Sequence, residues 1–400
     1  MSVRVVASGA GVISPLGAGW SDFADALYSG TSAASPSGLF GPQYTTAEVP
    51  SFAPERWLGN KGIRGLDRAA RLVSVAAQLA LTDAGLCPQQ TSGDPDIGLI
   101  CGTMLGSMHS IVAFDWSGLT DGPQYVSPLE FPNTVINSPI AQAAIRFRLG
   151  GVNSMLCAGM ASGLYAIGYA AEFLRLGRAK ALLAGGAEEL SEESIRALQK
   201  VSVLSAAGSA RPFSPERDGA LAGEGAVFLV LESDTDARKR GSRPWIEISG
   251  FGSAYQAADN GNLHSSTAAA ERAIRQALSD AGIEPVDIAG IVSGANGSPA
   301  GDEAELRALL GIFGERLKNV PLCAPKAAAG ELLGASGAMC ALSAALALVR
   351  GSLPPTASCD HAPADLKLSP QAQPLNGDYV LVTAFGCDGN HAALILRRAA

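Results

Sequence analysis

The sequence predicts an α/β protein built from two related halves, and three observations carry that expectation. Short β-branched runs alternate with longer alanine-rich runs along the whole chain, a pattern of largely buried strands set between helices. The phrase Ala80-Leu-Thr-Asp-Ala-Gly-Leu86 returns as Ala277-Leu-Ser-Asp-Ala-Gly-Ile283. Glycine is abundant, at 47 of 400 residues, while only 16% are charged, so backbones can approach one another closely inside a large core.

The expected strands are Arg4–Ala7, Ile97–Cys101, Ala181–Ala184, Val227–Leu231, Trp245–Ile248, Ile288–Val292 and Tyr379–Thr383. Between them Ala69–Ala84, Ala161–Arg175, Ala268–Ala281 and Gly337–Val349 are long and regular enough for helices. Each copy of the repeated phrase ends in Asp-Ala-Gly, where glycine takes the left-handed conformation that stops a helix, and each is followed by a strand. A second echo joins Leu156-Cys-Ala158 to Leu322-Cys-Ala324. The halves are placed at 1–243 and 244–400, linked by the charged, glycine-containing segment Thr235–Arg243.

Composition excludes several classes. At 47% hydrophobic the chain is too apolar for disorder. Its apolar stretches, such as Met339–Val349, fall short of the roughly 20 residues a bilayer requires. The N-terminus runs straight into a strand-like segment without a signal-peptide pattern, so a cytoplasmic location is expected. Net charge is −8, and Arg238–Arg240 reads as a solvated helix end, so no nucleic acid is expected as partner. Cysteines at 87, 101, 157, 323, 340, 359 and 387 lack zinc spacing and read as reduced, mostly buried packing. No metal or organic cofactor is implied.

A set of motifs in fixed order then resembles the β-ketoacyl-acyl-carrier-protein synthases over nearly the whole chain. These are Gly9-Ala-Gly-Val-Ile-Ser-Pro-Leu-Gly17, Phe131-Pro-Asn133 through Phe147, Arg211-Pro-Phe213, Arg217-Asp-Gly219, Gly223-Glu-Gly-Ala226, Leu353-Pro-Pro-Thr356 and Phe385-Gly386. The resemblance implies a thiolase fold, two pseudo-repeated halves in a five-layered αβαβα arrangement, with segment 131–147 at a dimer interface. It also implies a decarboxylative condensation, in which a cysteine at a helix start carries the acyl chain and two histidines stabilise an enolate.

Each of those three positions reads differently here. The nucleophile motif G-P-x-x-x-V-x-x-A-C-x-S-G aligns with Gly151–Gly163 and puts Met160, a thioether that forms no thioester, at the cysteine. The loop N-A-H-G-T-x-T-P-x-x-D aligns with Val292–Asp302 and puts Gly294 at the first histidine. The motif K-S-x-x-G-H-x-x-G-A-x-G aligns with Lys326–Gly337 and puts Glu331 at the second. Met160 reads as filler of the former pocket. Glu331 reads either as a new acid or base or as a partner for Lys326, and a carboxylate facing a developing enolate would raise its barrier. Cys157 reads as a displaced nucleophile or as buried packing. Of the four histidines, at 109, 264, 361 and 391, His391 follows Phe385-Gly-Cys-Asp-Gly-Asn390, which departs from the family's F-G-F-G-G-T-N gate loop.

A family frame without its reacting groups resembles the chain length factors, the ketosynthase-like subunits of type II polyketide synthases. Many of those carry glutamine at the lost cysteine, so methionine is a departure. The resemblance implies a heterodimer with an active ketosynthase and an acyl carrier protein with a phosphopantetheine-bound chain, with no membrane insertion. It implies too that Met108, Ile111, Val112, Phe114 and Trp116 protrude into a tunnel and limit chain length; the alternative is that they are ordinary interface or core residues. Two other functions stay open: a repurposed acyl-transfer enzyme using Cys157, Lys326, Glu331 or His391, and a stand-alone acyl-binding homodimer.

Overall fold

Strand β1 (Val5–Ser14) is buried along its full length, and it sits where two sheets of the same design meet. The computed structural model describes residues 3–86, 93–257, 265–359, 361, 363 and 365–399; Cys87 and His264 lie outside them. The first sheet adds β2 (Ile97–Gly102), β3 (Asn153–Leu156), β4 (Ala181–Glu188) and β5 (Gly225–Ser233). The second holds β6 (Ile246–Tyr255), β7 (Ile288–Val292), β8 (Pro321–Cys323), β9 (Tyr379–Phe385) and β10 (Asn390–Arg398). In space the first runs β3-β2-β4-β5-β1 and the second β8-β7-β9-β10-β6, one order used twice. They join through Val6 beside Glu247 and Ala7 beside Ile246.

Period-two alternation sorts the apolar side chains into layers. Val227, Leu229 and Leu231 of β5 face a central core, while Ala226, Phe228 and Val230 face an outer one. On β10 Ala392, Leu394 and Leu396 face the same central core, and Ala393 and Ile395 a second outer one. Helices α1 (Trp20–Ser29), α2 (Arg68–Asp83), α3 (Met108–Thr120), α4 (Ser138–Phe147), α5 (Ser162–Arg175) and α6 (Glu192–Lys200) belong to the first half. Helices α7 (Thr267–Ala281), α8 (Pro299–Phe313) and α9 (Ser336–Arg350) belong to the second. Helices α5 and α9 fill the centre, α2 and α4 cover the first sheet, and α7 and α8 cover the second. The result is the expected five-layered thiolase fold.

The repeat extends to details. Asp67 caps α2 by accepting from the Ala70 N–H, and Ser266 caps α7 from Ala269. The repeated stops hold, with Gly85 at φ +64° and Gly282 at +66°. A Cβ on Gly11 of β1 would stand 2.0 Å from the Ala76 carbonyl of α2, and one on Gly252 of β6 2.1 Å from Ala273 of α7. Glycine at both places is what lets the outer helices seat so close.

Some expectations need correction. Strands β3, β8 and β10 and helices α1, α4, α6 and α8 are elements beyond those expected; β3 and β8 are too short to leave a run of their own. Segment Thr235–Arg243 is largely the short helix Asp234–Lys239. There Arg238 pairs with Asp234 and Arg240 with Glu232, so the basic cluster is tied to the body and not simply solvated. The apolar stretch around Met339 extends to Leu333–Arg350, 18 residues, long and apolar enough to cross a membrane, but 89% of it is buried inside the fold.

Candidate functional site

The turn from β3 into α5 carries Met160 two residues before the helix starts. Its side chain is 2% exposed and packs with Leu198, Val203 and Leu333, with Met104, Leu105 and Cys387 at the edge of the cluster. Filling is incomplete: a cavity of about 210 Å³ remains beside Met160, bordered by Val203, Gly294, Asn296, Phe385 and Cys387. Gly294 is buried past the end of β7, where its N–H donates to the Thr383 hydroxyl at 2.9 Å. A Cβ at this position would lie 2.7 Å from the Thr383 carbonyl oxygen.

Glu331 and Lys326 are each 1% exposed and form an ion pair at 2.8 Å. The same carboxylate accepts from the Asn296 amide at 2.7 Å and from the Ser336 hydroxyl. Burial pulls the Lys326 ammonium down, but Glu331, Cys340 and Glu305 together offset this and the group ends above its ordinary value. Of the two readings of Glu331, the pairing with Lys326 is therefore present in the fold. Behind it Glu305 accepts from Ser293 at 2.7 Å and from Thr383 at 2.6 Å, and burial pushes its carboxyl up.

His391 is fully buried at the start of β10, in edge-on contact with Phe385 at 5.0 Å between ring centres. Its Nε2 accepts the Ser266 N–H at 3.2 Å, which ties it to the start of α7. Cys157 needs correction: it is exposed, not buried packing, with its sulfur 3.5 Å from the Met104 carbonyl. Desolvation and the Glu188 carboxylate hold its thiol above the usual range, which keeps thiolate scarce at neutral pH. Cys387 is half-buried and pushed up to about 11 by burial and by Asp388.

The gate-loop departure has a physical partner. Asp388 replaces a family glycine, and its carboxylate occupies the space a Cβ on Gly159 would take, 1.7 Å away. Gly159 in turn stands where the family motif has alanine, immediately before Met160. Asp388 is braced by the Asn390 amide at 2.9 Å. The loop thus rests against the turn that holds Met160.

The proposed tunnel residues share one helix but not one environment. Met108, Ile111, Val112 and Phe114 are half-buried, Trp116 is 65% exposed, and α3 has no buried residue. Phe114 stacks on Phe131 at 6.0 Å. The base of α3 hangs from two carboxylates that the motifs do not single out. Glu188 accepts from the backbone of Met104 (2.7 Å), Leu105 (2.9 Å) and Gly334 (3.0 Å), and burial pushes it up to about 7. Glu189 is pushed up to about 8 by burial and Asp67. The signal in the sequence is the phrase Gly185-Gly-Ala-Glu-Glu189, two acids ending a wholly apolar strand. Asn296 was legible too, since the same alignment sets it at the family's threonine. Asp302, used there as an anchor, accepts from the Phe213 N–H at 2.7 Å and is pushed up to about 7 by burial. Among the described residues no group of three or more His, Cys, Asp or Glu is placed to hold a metal ion.

Comparison with known proteins bears on the family and the fold. The family profile described as beta-ketoacyl synthase, N-terminal domain, matches residues 2–237, and the one described as its C-terminal domain matches 246–360. The 3-oxoacyl-[acyl-carrier-protein] synthase 2 of Coxiella burnetii is 32% identical, over 99% of this chain and 98% of its own. That of Rhizobium meliloti is 30% identical, over 99% of both. Among solved structures, the ishigamide ketosynthase/chain length factor superimposes over 100% of both chains with a TM-score of 0.92 and 30% identity. A type II PKS acyl-carrier protein in complex with its ketosynthase bound to the hexaketide gives 0.87 and 25% identity, again over 100% of both. Motifs, layered fold and full-length matches converge: the chain belongs to the β-ketoacyl synthase family.

Proposed function

We propose that this chain is a chain length factor, a subunit without condensing activity that pairs with an active ketosynthase in type II polyketide biosynthesis. The observation that carries the proposal is the site itself. Where the family has Cys, His and His, this chain has buried Met160, crowded Gly294, and Glu331 locked on Lys326. None of the three supplies a nucleophile or an oxyanion donor. The likeness to a structure titled ketosynthase/chain length factor supports the same reading. The acyl carrier protein would deliver its phosphopantetheine-bound chain to the active partner.

Surface chemistry supports a partner. Leu129 is 85% exposed, Leu119 81%, Ile145 75% and Trp116 65%, all between residues 116 and 145. Exposed apolar side chains concentrated in one stretch of chain fit an interaction surface. Strand β3 ends the strand order described, with an edge open to pairing. In this reading Phe114 and Ile111 face the growing chain across the interface.

The test is co-expression with candidate ketosynthases, purification through a tag on this chain, and native mass spectrometry. The expected outcome is a one-to-one complex; a stable homodimer that ignores every ketosynthase defeats the proposal. A second reading draws on exposed Cys157, as the nucleophile of a repurposed acyl-transfer enzyme. It predicts labelling of the lone chain by an acyl thioester, lost in Cys157→Ala.

A further inference from the structure

Helix α3 carries the residues assigned above to chain-length gating, yet nothing in its own sequence fixes where it starts. An N-cap side chain normally accepts an N–H from the second or third helical residue. Ser107 holds the N-cap position of α3 and makes no such bond. That task falls to Glu189, the residue that follows β4. One of its oxygens accepts from the His109 N–H at 3.3 Å, the other from the Ala69 N–H at 3.0 Å. His109 and Ala69 are the second residues of α3 and α2 respectively. One buried carboxylate therefore caps two helices, and α2 belongs to the rigid outer layer of the first sheet. A second link runs in parallel: the Ser110 hydroxyl donates to Asp67, the N-cap of α2, at 3.2 Å.

This anchor matters because α3 packs weakly: beside it stand only partly exposed ties such as His109 to Glu193 at 3.4 Å, and Glu188 below the helix holding Met104 and Leu105. No residue of it is buried, and its aromatic contact, Phe114 on Phe131, is with another exposed segment. A helix held at one end transmits any tilt of that end to residues a turn or two further on. Ile111 and Phe114 lie two and five residues beyond His109, a rise of about 3 and 7.5 Å along the axis.

We propose that Glu189 is a positioning residue that fixes the reach of α3 and, through Ile111 and Phe114, the length of chain the subunit admits. The proposal rests on the gating role inferred for α3. A glutamine at 189 keeps the shape but replaces one accepting oxygen by an NH₂, which cannot accept from both helices.

The test uses the complex of this chain with its ketosynthase, supplied with the acyl carrier protein. Glu189→Gln, Ser110→Ala and, as reference, Phe114→Ala are compared by amide hydrogen exchange over residues 103–112 and by product-length distribution. The expectation for Glu189→Gln is exchange at 108–110 faster by roughly fivefold or more, as for loss of a hydrogen bond of ordinary net strength. Its products spread over neighbouring lengths with total turnover retained, and Ser110→Ala shifts both readouts less, in the same direction. If Phe114→Ala changes length while Glu189→Gln and Ser110→Ala match the parent, the anchor is wrong and the gate stands. Faster exchange with unchanged lengths makes Glu189 merely structural and also overturns the proposal. Unchanged lengths in all three remove the gate and the anchor together. Should Glu189→Gln fail to fold, Ser110→Ala decides alone, and parental exchange and lengths there overturn the proposal.

Discussion

The two halves use one strand order, yet the equivalent links from β2 to β3 and from β7 to β8 differ by one inserted arm. In the second half the link is α8, which buries Ala304, Ala308, Leu309 and Phe313 against its own sheet, together with Asp302 and Glu305. In the first half α4 does the same, burying Ile140 and Ala143, and the link adds α3, which buries nothing, with a run of apolar residues facing outward. One copy of the link is core alone, and the other is core plus an unpartnered arm. Folding of the lone chain should thus depend on the covering helices, and assembly on the arm.

The largest expected effect lies in assembly. Leu119→Asp with Phe131→Asp removes two exposed apolar anchors and should weaken the ketosynthase complex by about a hundredfold or more. The lone chain's melting temperature should stay the same; native mass spectrometry and calorimetry read the two. A retained complex would place the interface elsewhere. Next comes stability. Leu309→Ala should cost about 2–5 kcal/mol by denaturant unfolding, whereas Phe114→Ala, on the unburied arm, should cost less than about 1 kcal/mol in the lone chain. Equal costs would dissolve the contrast between the links.

The smallest effect concerns pH, and both halves share it. Glu188 and Glu189 in the first half are raised to about 7 and 8, and Asp302 in the second to about 7. Folded pKa values above the ordinary carboxylate range mean that the native state binds the extra protons. This contribution to stability is complete below the ordinary range and is lost as pH rises through 7 and 8. Melting temperature should therefore fall between pH 6 and 9, with each group adding at most about 1.4 kcal/mol per pH unit. Glu189→Gln should flatten the upper part of that fall. A melting temperature that rises over this window would contradict the burial assigned to these acids.

Much of this was legible in the sequence. Every strand expected is present, because buried strands of Val, Ile and Leu leave an unmistakable run, and Asp-Ala-Gly marks helix ends by a local rule. The alignment also brings Met160, Gly294, Lys326 and Glu331 to one neighbourhood, since fixed spacing within a motif survives folding. What stayed hidden depends on contacts between distant segments. No local pattern says that Glu189 reaches across to His109 and Ala69, or that Asp388 seats on Gly159. Cys157 misled because burial was inferred from a cysteine's usual habit, while its strand lies at the edge of the sheet.

Gly294 also bears on how such a chain can change over generations. With the Thr383 carbonyl 2.7 Å from where any Cβ must go, a codon change to histidine does not by itself bring back an imidazole. It first forces β9 to yield, at a cost in the overpacking range of about 1–3 kcal/mol. The intermediate would be less stable and still lack both the thiol and the second histidine. That step back toward a histidine thus costs stability before it is useful. The geometry acts as a ratchet against return of a side chain at this position.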